Sequence, residues 1–228
     1  MIVDNVINLL KETVEYQDFL AHGITAMNLV IVVAAISGLI QGWGMLKQNN
    51  RIWKNKSGAA LPLTFFAFQF FYFIAYFIYG FKIRSGALMI NNLVGILFIP
   101  IIIGLIKFKL SEKGSFKKEL FISPFLILII PCVLFIKEQW SLIAILLLAL
   151  AVFVHLILEI IKKKELENIE PKFIISILLG SSVWLWYGIG ISDFGLIVSS
   201  GSTILAGTLF IVFYVSSKRK FRKSPTSI

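Results

Sequence analysis

The sequence predicts an all-α membrane protein with seven transmembrane helices, laid out as two parallel three-helix-bundle repeats joined by a linker helix, a 3+1+3 arrangement. Three observations predict it. Seven apolar stretches fill the chain, two of the first three recur near its end at a fixed offset, and basic residues crowd into alternate connections. With 228 residues, 58% apolar side chains and a mean hydropathy of +0.89, the chain lies well beyond the roughly 45 to 50% apolar content of soluble domains. A bilayer is its expected solvent.

A crossing helix needs about 17 to 25 apolar residues, and the stretches 29–46, 61–81, 86–106, 120–136, 140–161, 173–191 and 194–215 supply seven candidates. Residues 1–23 contain Asp4, Glu12, Glu15 and Asp18 and lack the basic start of a cleavable signal peptide. They read as an N-terminal extracellular segment, with Ile2, Val6, Leu9, Leu10, Val14 and Leu20 placed for a short amphipathic helix lying on the membrane. The first three-helix repeat occupies 24–110. A linker transmembrane helix follows over 119–137, carrying Pro124 and Pro131, then the second repeat over 139–216 and a basic cytoplasmic tail over 217–228. The Phe-rich run from Phe65 to Phe77 is expected to form a packed, lipid-facing helix rather than a cofactor site, and the single Cys132 excludes an internal disulfide.

The duplication is specific in its residues. Tyr76, Tyr79, Gly80, Asn92 and Leu97 are followed 108 residues later by Trp184, Tyr187, Gly188, Ser200 and Leu205. A membrane bundle built twice from a unit too small to enclose a pathway implies a solute carrier with its site between the copies. Charge supplies the orientation. Of the 22 Lys and Arg residues, 18 lie between spans one and two, three and four, and five and six, or in the tail; only Lys11, Lys82, Arg84 and Lys137 lie elsewhere. The positive-inside rule then places the N-terminus outside and the C-terminus in the cytoplasm. Two like-oriented triplets need one inverting crossing between them, because three crossings reverse the chain.

Gln48, Arg51, Ile52, Trp53, Lys54, Lys56 and Ser57, then the span ending Tyr76-Phe77-Ile78-Tyr79-Gly80, then Asn92, resemble one repeat of the SWEET/SemiSWEET sugar transporter family (PQ-loop, MtN3/saliva superfamily). Trp184-Leu185-Trp186-Tyr187-Gly188 with Asp193-Phe194 beyond it looks like the family's W-x-x-Y-G…D-F signature. The resemblance implies facilitated diffusion (uniport) of a small neutral sugar by alternating access. It implies that Tyr76, Asn92, Trp184 and Ser200 bind substrate, that Tyr79, Tyr187 and Asp193 form an outer gate, and that Gln48 is the glutamine of the inner motif. Two departures stand out: Lys47-Gln48 replaces the family's Pro-Gln, with no proline between 139 and 170, and Ser200 stands where the family usually has asparagine.

The residues support the same site without the family. Counted from the corner that spans two and three share, Tyr76 and Asn92 lie about 8 Å beneath the outer edge, and Trp184 and Ser200 lie at the same level in the second copy. An aromatic face and an amide suit a sugar, whose C–H faces stack and whose hydroxyls both donate and accept. Asp193 is expected to pair with Lys82 or Arg84 across the opening. No charged residue occupies the centre of a span, which favours a uniporter and disfavours an anionic substrate.

A vitamin nucleoside or amino acid carrier on the same fold, or a PQ-loop sorting receptor, are the alternatives. The chain shows no HExxH, phosphate loop or Cys cluster, so no catalytic residues, metal or cofactor are expected. The net charge of +10 is accounted for by orientation, so nucleic acid is not an expected partner. The expected partners are a neutral solute and the lipid bilayer of the cell membrane, with a homo-oligomer left open.

Overall fold

The computed structural model describes residue 8 and residues 11–110, 115–135, 138–163, 166 and 168–223. A short helix α1, Val14–His22, opens the described chain. Thr25 then caps α2, Ala26–Asn55, through a reciprocal pair in which Asn28 N–H donates to the Thr25 hydroxyl and Thr25 N–H donates to the Asn28 side chain. Helix α3 runs Leu63–Lys82. The third span is composite: α4, Gly86–Asn92, a 3-10 segment Leu93–Leu97, and α5, Phe98–Lys109. The linker region repeats that construction with α6, Ser115–Ile122, a 3-10 segment Ser123–Leu128, and α7, Ile129–Phe135. Helices α8, Glu138–Lys163, α9, Pro171–Gly190, and α10, Phe194–Lys223, complete the described chain.

Both 3-10 segments end three residues before a proline, Pro100 and Pro131. A proline offers no N–H to the carbonyl four residues back, here Ile96 and Ile127, and its ring crowds that carbonyl, so the preceding turns tighten.

Among the described residues, five helices are long and apolar enough to cross a membrane: Asn28–Asn55, Leu63–Lys82, Gly86–Lys109, Pro171–Gly190 and Phe194–Lys218. They correspond to expected spans one, two, three, six and seven. Expected span 120–136 falls on the composite α6 to α7 and expected span 140–161 falls within α8; residues 136 and 137 lie outside the described residues, as do 1–7, 9, 10 and 224–228. Outward-facing side chains such as Leu39, Ile96, Phe125 and Leu205 are exposed and apolar, as a surface solvated by lipid requires.

Packing follows one order in both halves. In the first, α4 lies against both α2 and α3, and in the second, α10 lies against both α8 and α9. The halves meet where α2 packs on α9 and, less extensively, where α3 packs on α8. The outer corners match bond for bond: Ser85 N–H donates to the Gly80 carbonyl at 2.8 Å and Asp193 N–H to the Gly188 carbonyl at 2.9 Å. Arg84 and Ser192, 108 apart, both have φ of 55°. The inner corners match too, with Leu61 N–H on Gly58 O at 3.0 Å and Ile169 N–H on Leu166 O at 3.2 Å.

The Phe-rich span corrects an expectation. Phe65, Phe66, Phe68 and Phe73 of α3 are buried, not lipid-facing: Phe65 meets Phe153 and Phe173 edgewise, Phe66 stacks on Phe173, and Phe73 lies obliquely on Phe98. The reason is enclosure: α3 is flanked by α4, α5, the linker and α8. The N-terminal segment also differs from a helix merely resting on lipid. Helix α1 docks on α2 and α4, and its Glu15 is buried.

The α2–α9 seam depends on small residues. A Cβ added at Gly44 would collide with the Ser176 side chain and lie 3.1 Å from the Phe173 Cα, and one at Gly180 would collide with Gln41. Close backbone approach of this kind is a principal source of helix association in lipid. Gly44→Ala is expected to destabilise the protein by about 1 to 3 kcal/mol, read as a lowered melting temperature in detergent; an unchanged melting temperature would show that the seam relaxes freely.

Candidate functional site

A cavity of about 50 Å³ lies between the halves, walled by α2, α3 and α4 on one side and by α8, α9 and α10 on the other. Among the described residues its lining contains no Asp, Glu, Lys or Arg. All four residues expected to bind substrate line it: Tyr76 and Asn92 from the first half, Trp184 and Ser200 from the second. Apolar spans bring them there because the two tight outer corners fix the register of α3 against α4 and of α9 against α10. The volume holds a few waters at about 10 to 15 Å³ each, so a ligand as large as a sugar requires the walls to part.

The wall is aromatic on both sides. Tyr72 and Tyr76 rings lie 4.5 Å apart, Tyr76 and Tyr79 rings 6.1 Å, and Trp184 meets Tyr187 edge-on at 5.6 Å. Uncharged polar groups lie between them. Asn92 donates one amide proton to the Leu88 carbonyl at 2.8 Å, which orients the side chain, and Gln41 donates to Ser37 Oγ at 3.0 Å and to Asn91 Oδ1 at 3.3 Å. Tyr76 is 4% exposed, and its hydroxyl has no hydrogen-bond partner among the described residues. A buried polar group left unsatisfied costs about 1 to 3 kcal/mol.

Beyond the cavity, Tyr79, Tyr187 and Asp193, the residues expected to form an outer gate, make contacts between the halves in a crossed pattern. The Tyr79 hydroxyl donates to Asp193 Oδ2 at 2.9 Å, and Tyr187 lies 2.9 Å from the hydroxyl of Ser85. Asp193 thus does not meet Lys82 or Arg84, contrary to expectation. Its other oxygen accepts from Leu196 N–H at 3.0 Å, capping α10 and turning the carboxylate inward, while Lys82 and Arg84 are exposed. Arg84 instead approaches Glu12 at 3.9 Å.

Gln48 sits at the inner end and is fully buried. Its amide donates to the Asn168 carbonyl and accepts from Glu170 N–H, both at 2.8 Å, so α2 grips the turn that starts α9. Arg51 reinforces that grip, donating to the Ile169 carbonyl and pairing with Glu170 at 3.3 Å.

The sequence reading missed several residues at these places. Gln69, Tyr72, Asn91, Ser199 and Thr203 also line the cavity. Ser85 was legible as the residue 108 before Asp193, whereas Glu15 enters from outside the repeat and leaves no periodic trace. Outside the spans, the Thr25 hydroxyl donates to Asp18, holds that carboxyl below its ordinary range and ties α1 to the start of α2.

Residues 141–222 match the model of the protein family described as "Sugar efflux transporter for intercellular exchange". That stretch takes in nearly all of α8, α9 and α10. No curated protein and no solved structure gives a significant match to the chain.

Proposed function

Because residues 141–222 belong to the SWEET/MtN3 family of sugar efflux transporters, we propose that this integral membrane protein carries a small neutral sugar by uniport. Two three-helix units, 24–110 and 139–216, rock about their seam, with the chain between them as the inverting linker of a 3+1+3 bundle. Matching helix order, matching corners and a cavity on the seam support that reading. The observation that carries the substrate class is the cavity wall: aromatic faces and uncharged donors and acceptors, with the buried Tyr76 hydroxyl lacking a partner among the described residues. A sugar hydroxyl would satisfy it. Among the described lining residues an anionic solute would find no Lys or Arg, and proton coupling would find no Asp, Glu or His.

Alternating access assigns Tyr79, Tyr187 and Asp193 to the outer gate, and their contacts between the halves support a role in holding it shut. Opening that gate separates O–H···O contacts, which are weak enough singly to break in each cycle. Gln48 and Arg51 keep the α9 turn attached to α2 as the halves move.

Liposomes containing the protein are expected to equilibrate radiolabelled mono- or disaccharide down its gradient, with a rate unchanged by a protonophore. Competition by unlabelled sugars, nucleosides and amino acids reads the substrate class directly. Binding without any flux would favour a receptor, and flux blocked only by nucleosides or amino acids would replace sugar as the cargo.

A further inference from the structure

The outer end is closed by two related but unequal contacts. In one, Asp193 does two things: it caps α10 at Leu196 N–H and accepts from Tyr79 of the opposite half at 2.9 Å. The equivalent position, 108 residues earlier, is Ser85. Its hydroxyl caps α4 at Leu88 N–H, 3.2 Å, and lies 2.9 Å from Tyr187 of the opposite half. A serine brings neither the negative charge nor the second oxygen of the aspartate.

Glu15 brings both. Its Oε1 accepts from the Ser85 hydroxyl at 2.7 Å, from the Tyr187 hydroxyl at 3.0 Å and from Ala87 N–H at 3.2 Å, while Oε2 accepts from Gly86 N–H at 3.0 Å. The residue is 1% exposed. Two hydroxyls and two amides at the first turn of a 24-residue span satisfy the carboxylate, the arrangement in which an anion is most favoured without a cation. Backbone pairing holds the segment in place, since Val14 N–H donates to the Arg84 carbonyl at 2.9 Å.

We propose that Glu15 is the second carboxylate of the outer gate, delivered by α1 to the place where the first repeat lacks an acid, so that α1 latches the two halves together when the outer side is shut. Three of its four donors belong to the α4 corner, so Glu15 travels with the first half. Only the Tyr187 contact crosses the opening, just as only Tyr79 crosses to Asp193. The inference rests on the alternating-access reading above, but its test needs no sugar.

In full-length protein carrying Cys132→Ala and Ser181→Cys, the cavity-wall thiol is labelled with a membrane-impermeant maleimide from the side bearing the N-terminus. Glu15→Ala is expected to raise the labelling rate about tenfold, the scale of one lost charge-assisted bond. Tyr187→Phe is expected to raise it similarly and to add little to Glu15→Ala, because both remove one contact. Adding Ser85→Asp to Glu15→Ala is expected to return the rate toward that of the parent, since it rebuilds the arrangement seen at Asp193. Wild-type labelling in Glu15→Ala, independent effects of the two substitutions, or no recovery with Ser85→Asp would each overturn the latch. Should Glu15→Ala fold poorly, Glu15→Gln keeps the size and one acceptor and is expected to show a smaller rise; a parental rate there overturns the latch as well. Sugar flux that is absent while labelling behaves as described would count against the transport reading and leave the latch standing.

Discussion

Asn92→Ala is expected to reduce sugar equilibration in liposomes to about a tenth or less, the scale of losing one or two hydrogen bonds made only with substrate. The side chain lines the cavity, yet its only bond among the described residues is to its own helix, at Leu88 O. That contact aims the amide and leaves its oxygen and second proton for a ligand. Truncation to Ala removes all of this without breaking a tie between helices, so protein yield and melting temperature are expected to stay near the parent's. Ser200, the facing residue, offers one hydroxyl and cannot replace both functions. Ser200→Asn is accordingly expected to strengthen competition by sugar. Unaltered flux in Asn92→Ala would remove the site assigned here.

Lys109→Met is expected to cost about 3 kcal/mol or more, the range for stranding one member of a buried ion pair. Lys109 and Glu119 are 1% and 4% exposed at the side chain and lie 3.3 Å apart. The lysine also donates to the Leu61 carbonyl at 2.9 Å, and Glu119 accepts from Leu63 N–H at 2.6 Å, capping α3. Together they fasten α5 and α6 to the inner corner of the first half. Without the cation, the carboxylate stays in place beside apolar neighbours with its charge unopposed. The double variant Lys109→Met with Glu119→Leu is expected to recover much of the loss, because apolar replacement of a whole buried pair is often tolerated. Thermal unfolding in detergent distinguishes the cases; equal losses in single and double variants would contradict this account.

Much of the arrangement was legible in the chain, and the exceptions have physical causes. Apolar length alone placed spans one, two, three, six and seven, and the 108-residue offset brought Tyr76, Asn92, Trp184 and Ser200 to one level, the level at which the cavity lies. Burial of Phe65, Phe66, Phe68 and Phe73 was not legible, because an apolar helix reads alike whether it meets lipid or other helices. The partner of Asp193 was misjudged for a different reason. Opposite charge in the matching turn of the other repeat favoured Lys82 and Arg84, but the requirement to cap α10 turns the carboxylate inward and the two cations remain outside. Glu15 escaped because its contacts lie about 70 and 172 residues away and follow no period.

The 3-10 segment Leu93–Leu97 begins immediately after Asn92 and ends just before Pro100. Five residues wound at about 2.0 Å rise instead of 1.5 Å lengthen the strut by about 2.5 Å, and each is turned about 20° further round the axis. Letting that stretch relax to ordinary α winding would therefore retract the amide of Asn92 and swivel it by roughly a quarter turn. The grip proposed for Asn92 and the reach of the strut that bears it would thus be geared to one short coil. Replacing Pro100 by Ala, which restores a proton for the Ile96 carbonyl, is the simplest way to disengage the gear, and sugar competition constants that do not move in that variant would show that the two are uncoupled.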